Sequence, residues 1–205
     1  AHSDEAEKYS AAAFATKHED AIYFSKRVTR AVPDGGPIEA HTDLVKKLDY
    51  ECELAVVLGR DVRDVPAGQT RDYIFGYTIL NDVSARDVQT AHKQWYFGKS
   101  LDGFTPIGPC IVTADAFADY PPRLGIRSFV NGEKRQDSNT ALQIFDIDHV
   151  IAELSQGMTL KAGTIIATGT PAGVGMGMDP PQFLKPGDVV RCEIDGIGTL
   201  TNPVE

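Results

Sequence analysis

Tyr50-Glu51-Cys52-Glu53-Leu54-Ala55-Val56-Val57-Leu58-Gly59 is the stretch from which the fold can be read. With a period of two, Tyr50, Cys52, Leu54, Val56 and Leu58 face one side of a strand, and Glu51, Glu53, Ala55 and Val57 face the other. The two carboxylates then share a face, their Cα atoms roughly 7 Å apart on a strand that rises about 3.3 Å per residue. Glutamate suits strands poorly, and like charges at that spacing cost stability unless something positive lies between them. A hard divalent cation would supply it. The spacing leaves a second reading open, a solvated edge on which charges discourage strand pairing. That reading predicts a polar face throughout, whereas this face runs on into Ala55 and Val57.

Outward from this strand, Tyr73 to Leu80 is an apolar run that reads as a second buried strand and ends on Asn81-Asp82. Ser84-Ala85-Arg86-Asp87 follows with the pattern of a capping box, which predicts a helix N-terminus. Asp82 is thereby placed where a strand gives way to a helix, a position that exposes side chains at the end of a rigid scaffold. Turn formation is the ordinary role of such an Asp. Three carboxylates on two core strands nevertheless make an oxygen donor set of the kind Mg²⁺ and Mn²⁺ prefer. Lys99, in Phe97-Gly98-Lys99-Ser100, would be an ordinary solvated lysine in isolation. Beside an acidic cation site it could offset surplus negative charge and receive a developing oxyanion.

The remaining chain reads as scaffold with one exception. Ala21 to Ser25 is strand-like, and a loop follows around Pro33-Asp34-Gly35-Gly36-Pro37. Arg127 to Val130, Asn131-Gly132 and Glu133 to Gln136 carry the signature of a tight hairpin. Asp148 is placed to cap a helix whose buried face is Ile147, Val150, Ile151, Leu154 and Met158, with Gly157 as its stop. The exception is Thr168-Gly169-Thr170-Pro171-Ala172-Gly173-Val174-Gly175, after the strand Thr164 to Ala167, because glycines let backbone approach a ligand closely. It has neither the lysine of a phosphate-binding loop nor a helix behind it. A last hairpin spans Val189 to Leu200 across Asp195-Gly196. Strands outnumber helices, which predicts an α+β, mostly β fold with a rolled or barrel-like core and peripheral helices.

At 205 residues and 42% hydrophobic composition the chain can bury one sizeable core. A net charge of -9 without any basic run argues against binding along a phosphate backbone, so no nucleic-acid partner is expected. No apolar run approaches the ~20 residues needed to cross a bilayer and no signal-peptide pattern opens the chain, so a soluble, cytoplasmic protein is expected. Cys52, Cys110 and Cys192 lack paired spacing and are expected as core or near-core thiols in a reducing compartment. No G-x-S-x-G elbow, H-E-x-x-H motif or zinc-type cluster occurs, which removes support for serine hydrolase and zinc protease chemistry. The chain begins at Ala1 rather than Met, which leaves room for an upstream segment. His2 to Ala15 reads as a short, weakly anchored helix carrying His2 and Glu5 on one face, by itself a solvated terminus.

Four ordered motifs resemble the fumarylacetoacetate hydrolase family: Glu51-Cys52-Glu53-Leu54, Leu80 to Asp87, Gly98-Lys99-Ser100 and Thr168 to Gly175. The resemblance covers nearly the whole chain. It implies the mixed β-roll of that family's C-terminal domain over residues 21–205, preceded by a lid helix region at residues 1–20, and usually a homodimer. It implies Mg²⁺, with Mn²⁺ or Ca²⁺ as alternatives, held by Glu51, Glu53 and Asp82. It also implies a pocket lined by Arg86, Gln89, Lys99 and Thr170, and a 2-oxo acid substrate. His2-Ser3-Asp4-Glu5 is similar to the His-x-x-Glu pair on the lid of acylpyruvases, which makes His2 and Glu5 candidate catalytic residues. Lys26-Arg27 departs from the Lys-Pro of many relatives. The implied activity is hydrolysis of a carbon–carbon bond in an acylpyruvate-type acid. Isomerisation or decarboxylation of 2-hydroxyhepta-2,4-diene-1,7-dioate-type diacids or oxaloacetate is the alternative, and a non-catalytic metal-binding β domain is the alternative from another class.

Overall fold

The structure is a computed structural model and describes residues 20–205. The expected lid helix, with His2 and Glu5, lies outside the described residues. Two antiparallel four-stranded sheets form the body. One has the order β5-β3-β2-β8, from β2 (Cys52–Leu58), β3 (Ile74–Asn81), β5 (Ile107–Thr113) and β8 (Ile165–Ala167). The other has the order β10-β9-β6-β7, from β6 (Gly125–Val130), β7 (Glu133–Asn139), β9 (Val189–Ile194) and β10 (Gly198–Pro203). A short ribbon pairs β1 (Leu48–Asp49) with β4 (Ser84–Ala85). Among the described residues, three short α-helices, α1 (Arg86–Ala91), α2 (Tyr96–Lys99) and α3 (Ile147–Leu154), lie outside the sheets. The mostly β, α+β expectation holds, although among the described residues the strands form open sheets rather than a closed barrel. No helix among these residues is long and apolar enough to cross a membrane.

The alternation in β2 explains the packing. Leu54, Val56 and Leu58 enter one hydrophobic core with Tyr77 and Ile79 of β3 and with Ile126, Cys192, Ile194 and Leu200 of the second sheet. Each such side chain, fully buried, contributes roughly 2 kcal/mol of transfer free energy. The other face of β2 is closed as well, with Ala55 at 0% and Val57 at 8% exposure, so the solvated-edge reading of Glu51 and Glu53 fails. The hairpin between β6 and β7 turns where expected, with Asn131 and Gly132 both at positive φ, as the tight turn requires.

Four local expectations are corrected. Ala21 to Ser25 joins no sheet, and Ile22, Tyr23 and Phe24 stay exposed, because a strand pattern without a partner edge forms no ladder. The capping box does not form. Ser84 is paired with Asp49 in the ribbon and donates its hydroxyl to the Asp82 carbonyl, leaving Ala85 at the helix cap position. At α3 the cap is Asp146, which accepts from the His149 N–H, while Asp148 accepts from Thr70 Oγ1 and the Gly68 N–H; the helix ends at Leu154, short of Gly157. Cys110 is exposed, whereas Cys52 and Cys192 are buried.

Candidate active site

Antiparallel pairing of β2 with β3 sets Cys52 opposite Asn81 and Glu53 opposite Leu80. Beyond the ladder, the Asp82 N–H donates to the Glu51 carbonyl at 2.8 Å, and the Glu51 N–H donates to Asn81 Oδ1 at 2.9 Å. These contacts bring Glu51, Glu53 and Asp82 together, with one carboxylate oxygen of each within 4.8 Å of the others, all three side chains buried.

Among the described residues, three cations pair with two of these acids, Glu51 and Asp82. Lys99 Nζ, from the end of α2, bridges Glu51 Oε2 and Asp82 Oδ2 at 2.7 Å each. Lys26 Nζ lies 2.7 Å from Asp82 Oδ1 and donates to the Val83 carbonyl at 3.3 Å. Arg86 Nη1 lies 2.6 Å from Glu51 Oε1, while its Nε reaches Asp49 Oδ2 at 2.9 Å. Burial pushes the Glu51 and Asp82 carboxyls up, but the lysines, together with Arg86 at Glu51, outweigh it and hold both below the usual carboxylate range. Lys99 is held above the usual lysine range because Asp82 and Glu51 outweigh its burial, whereas burial dominates at Lys26 and lowers it.

Glu53 differs from its neighbours. Its Oε2 accepts the Gly169 N–H at 2.8 Å, and it forms no ion pair among the described residues. Burial first, then repulsion from Asp82 and Glu51, pushes its carboxyl up to about 8. The donor set therefore fits a hard divalent cation. It consists of oxygens only, it converges, and it includes a buried carboxylate whose ionisation an added positive charge would favour.

The other expected residues occupy the same neighbourhood. Gln89 Oε1 receives Arg86 Nη1 at 3.3 Å. Thr170 Oγ1 donates to the Cys52 carbonyl at 2.9 Å and accepts from Gln136 Nε2 at 2.8 Å, so its hydroxyl fastens the glycine loop to the strand that bears Glu51 and Glu53. The loop's glycines mostly serve packing. A Cβ on Gly173 would lie 2.0 Å from the Arg135 carbonyl oxygen, and one on Gly175 1.9 Å from that of Gln182. The backbone that approaches the acids is that of Gly169. Phe24 lies over Lys99, 5.3 Å from ring centroid to Nζ, and meets the Trp95 ring edge-on.

Three residues escaped the reading of the sequence. Asp49 could have been found by extending the alternation of Glu51 and Glu53 back by two. Lys26 stood out only as part of a dipeptide, and its site role depends on a chain crossing. Gln136, buried at 0% exposure, receives the Cys52 N–H and the Ser128 hydroxyl and donates to Thr170 and the Pro171 carbonyl. No local signal distinguishes it from any polar residue in a hairpin strand.

Residues 1–205 match the fumarylacetoacetate (FAA) hydrolase C-terminal family description. The chain is 45% identical over 186 residues to the oxaloacetate tautomerase YisK of Bacillus subtilis, covering 91% of this chain and 62% of that protein. Among solved structures it resembles a fumarylacetoacetate hydrolase of Exiguobacterium antarcticum at a TM-score of 0.90 and 46% identity, covering 100% of this chain and 72% of that one. It also resembles a 2-hydroxyhepta-2,4-diene-1,7-dioate isomerase of Mycobacterium marinum at a TM-score of 0.74 and 44% identity, covering 84% and 64%. The chain spans about 60% of the length of the first curated relatives it matches.

Proposed function

The chain belongs to the fumarylacetoacetate hydrolase family, and from that membership we propose that it is a Mg²⁺- or Mn²⁺-dependent enzyme that shifts a proton in a small 2-oxo acid by way of its enolate. The observation that carries this reading is the convergence of Glu51, Glu53 and Asp82 beneath Lys99. The tautomerase and isomerase names of the relatives favour keto–enol or double-bond isomerisation as the outcome.

The three carboxylates would hold the cation, which when bound supplies Lewis acidity to the substrate's 2-oxo group. Lys99 Nζ, kept protonated by Asp82 and Glu51, faces the negative charge that develops on that oxygen and offsets it in a buried setting. Arg86, with Gln89 beside it, orients the substrate carboxylate, since a guanidinium matches a carboxylate's two oxygens. Gly169 and Thr170 keep the loop against Glu53 and Cys52, so the acids are held before substrate arrives. His2, oriented by Glu5, is the proposed proton carrier, acting at the substrate carbon in isomerisation.

The His2-x-x-Glu5 spacing also supports a second outcome, in which His2 takes a proton from water that attacks the distal carbonyl of an acylpyruvate, releasing pyruvate and a carboxylic acid. The working unit is proposed to be a cytoplasmic homodimer.

Oxaloacetate, acetylpyruvate and 2-hydroxyhepta-2,4-diene-1,7-dioate, each assayed with Mg²⁺ and with EDTA, test the proposal. Turnover that stops on chelation and returns with Mg²⁺ or Mn²⁺ is expected. A protein that converts none of them under either condition refutes it. A fall in thermal stability on chelation without any turnover assigns the acids to a structural cation.

A further inference from the structure

We infer that Asp49 is a positioning residue that holds Arg86 between two carboxylates and thereby keeps Glu51 available to a cation. The inference rests on the reading of Glu51, Glu53 and Asp82 as cation ligands. Asp49 is fully buried on β1, and its carboxylate is surrounded by donors. Oδ1 accepts from the N–H groups of Tyr50 at 3.0 Å and Gly175 at 2.8 Å. Oδ2 accepts from the Met176 N–H at 2.9 Å and from Arg86 Nε at 2.9 Å. The turn at Gly175 is built around it, since a Cβ there would lie 2.8 Å from Asp49 Oδ1. Asp49 therefore cannot swing away, and the guanidinium it anchors is fixed in turn.

The consequence concerns Glu51. Its Oε2 faces Lys99 and its Oε1 faces Arg86 Nη1 at 2.6 Å, so an incoming cation competes with both. A planar guanidinium shared with Asp49 gives Glu51 only part of its charge and cannot turn both of its nitrogen edges toward Glu51. In Asp49→Asn one oxygen becomes an NH₂ that faces donors. If that NH₂ takes the Oδ2 position, the Met176 N–H and Arg86 Nε both lose their acceptor, and if it takes the Oδ1 position the Tyr50 and Gly175 N–H groups lose theirs. In both cases the neutral amide no longer shares the charge of Arg86 with Glu51.

Calorimetric titration of EDTA-treated protein with Mn²⁺ tests this without reference to turnover. Asp49→Asn is expected to bind Mn²⁺ about tenfold more weakly, the lower end of what partners behind metal ligands contribute. Arg86→Met is expected to bind more tightly than the parent, and Asp49→Asn combined with Arg86→Met to recover at least the parent affinity. A purely structural Asp49 would not be rescued by removing Arg86. Parent-like affinity in Asp49→Asn, or a double variant as weak as Asp49→Asn, overturns the inference. If Asp49→Asn does not fold, Arg86→Met alone decides, and unchanged or weaker Mn²⁺ binding overturns it. A parent protein that binds no Mn²⁺ removes the ligand reading itself, a separate failure.

Discussion

Replacing Glu53 with Gln should change how the stability of the metal-free protein depends on pH. The carboxyl ionises near 4.5 in the unfolded chain and at about 8 in the folded one. Between those values the folded chain holds a proton that the unfolded chain has lost, so stability falls as pH rises through that window. The stabilisation is fully present below pH 4.5 and gone above about 8. One pKa unit corresponds to ~1.4 kcal/mol, which puts the ceiling at about 5 kcal/mol across the window. Gln keeps an oxygen for the Gly169 N–H and is never charged, so Glu53→Gln removes this contribution to the decline while preserving the hydrogen bond. Glu51 and Asp82, held below the usual range, act at the acid end instead, where their stabilisation is lost as pH falls through their folded pKa values. Urea unfolding in EDTA from pH 5 to 9 is the assay. The parent should lose more stability toward pH 9 than Glu53→Gln, in which only the other raised carboxyl, Asp49, still contributes a decline. Mn²⁺ should restore the parent most at the alkaline end, where Glu53 needs no deprotonation to bind it. Parallel pH profiles for parent and variant would refute the placement of an uncompensated carboxyl at this position.

Asp82→Asn should weaken Mg²⁺ binding and abolish turnover, and calorimetry showing an unchanged Mg²⁺ affinity would remove Asp82 from the ligand set. Gln136→Leu strips partners from Cys52, Ser128 and Thr170 at once; leaving these groups unsatisfied should cost about 2–4 kcal/mol in urea unfolding, and a loss under about 0.5 kcal/mol would show that the clip is dispensable. His2→Ala should retain Mn²⁺ affinity and lose catalysis, and parent-rate conversion of the preferred substrate by the purified variant would dismiss it as the proton carrier.

An apolar run marked β3, the Asn131-Gly132 and Asp195-Gly196 turns marked the two hairpins, and period-two alternation, a property of adjacent residues alone, placed Glu51 and Glu53 on one face of β2. That alternation extended unread to Asp49. The expectations that failed were equally local. Ser84 had the right neighbours for a helix cap, yet the ribbon formed by β1 and β4 claimed it first, and Ala21 to Ser25 had a strand's composition without an edge to pair with. Local propensities are worth a kilocalorie or less, and a competing tertiary contact overrides them. What only the tertiary structure decided is which distant residues surround the acids. The register that sets Cys52 against Asn81 brings in Asp82, and separate chain crossings bring in Lys26, Lys99 and Gln136. A buried carboxylate cluster needs cations and hydrogen-bond donors from any direction, and those directions exist only once the sheets have packed.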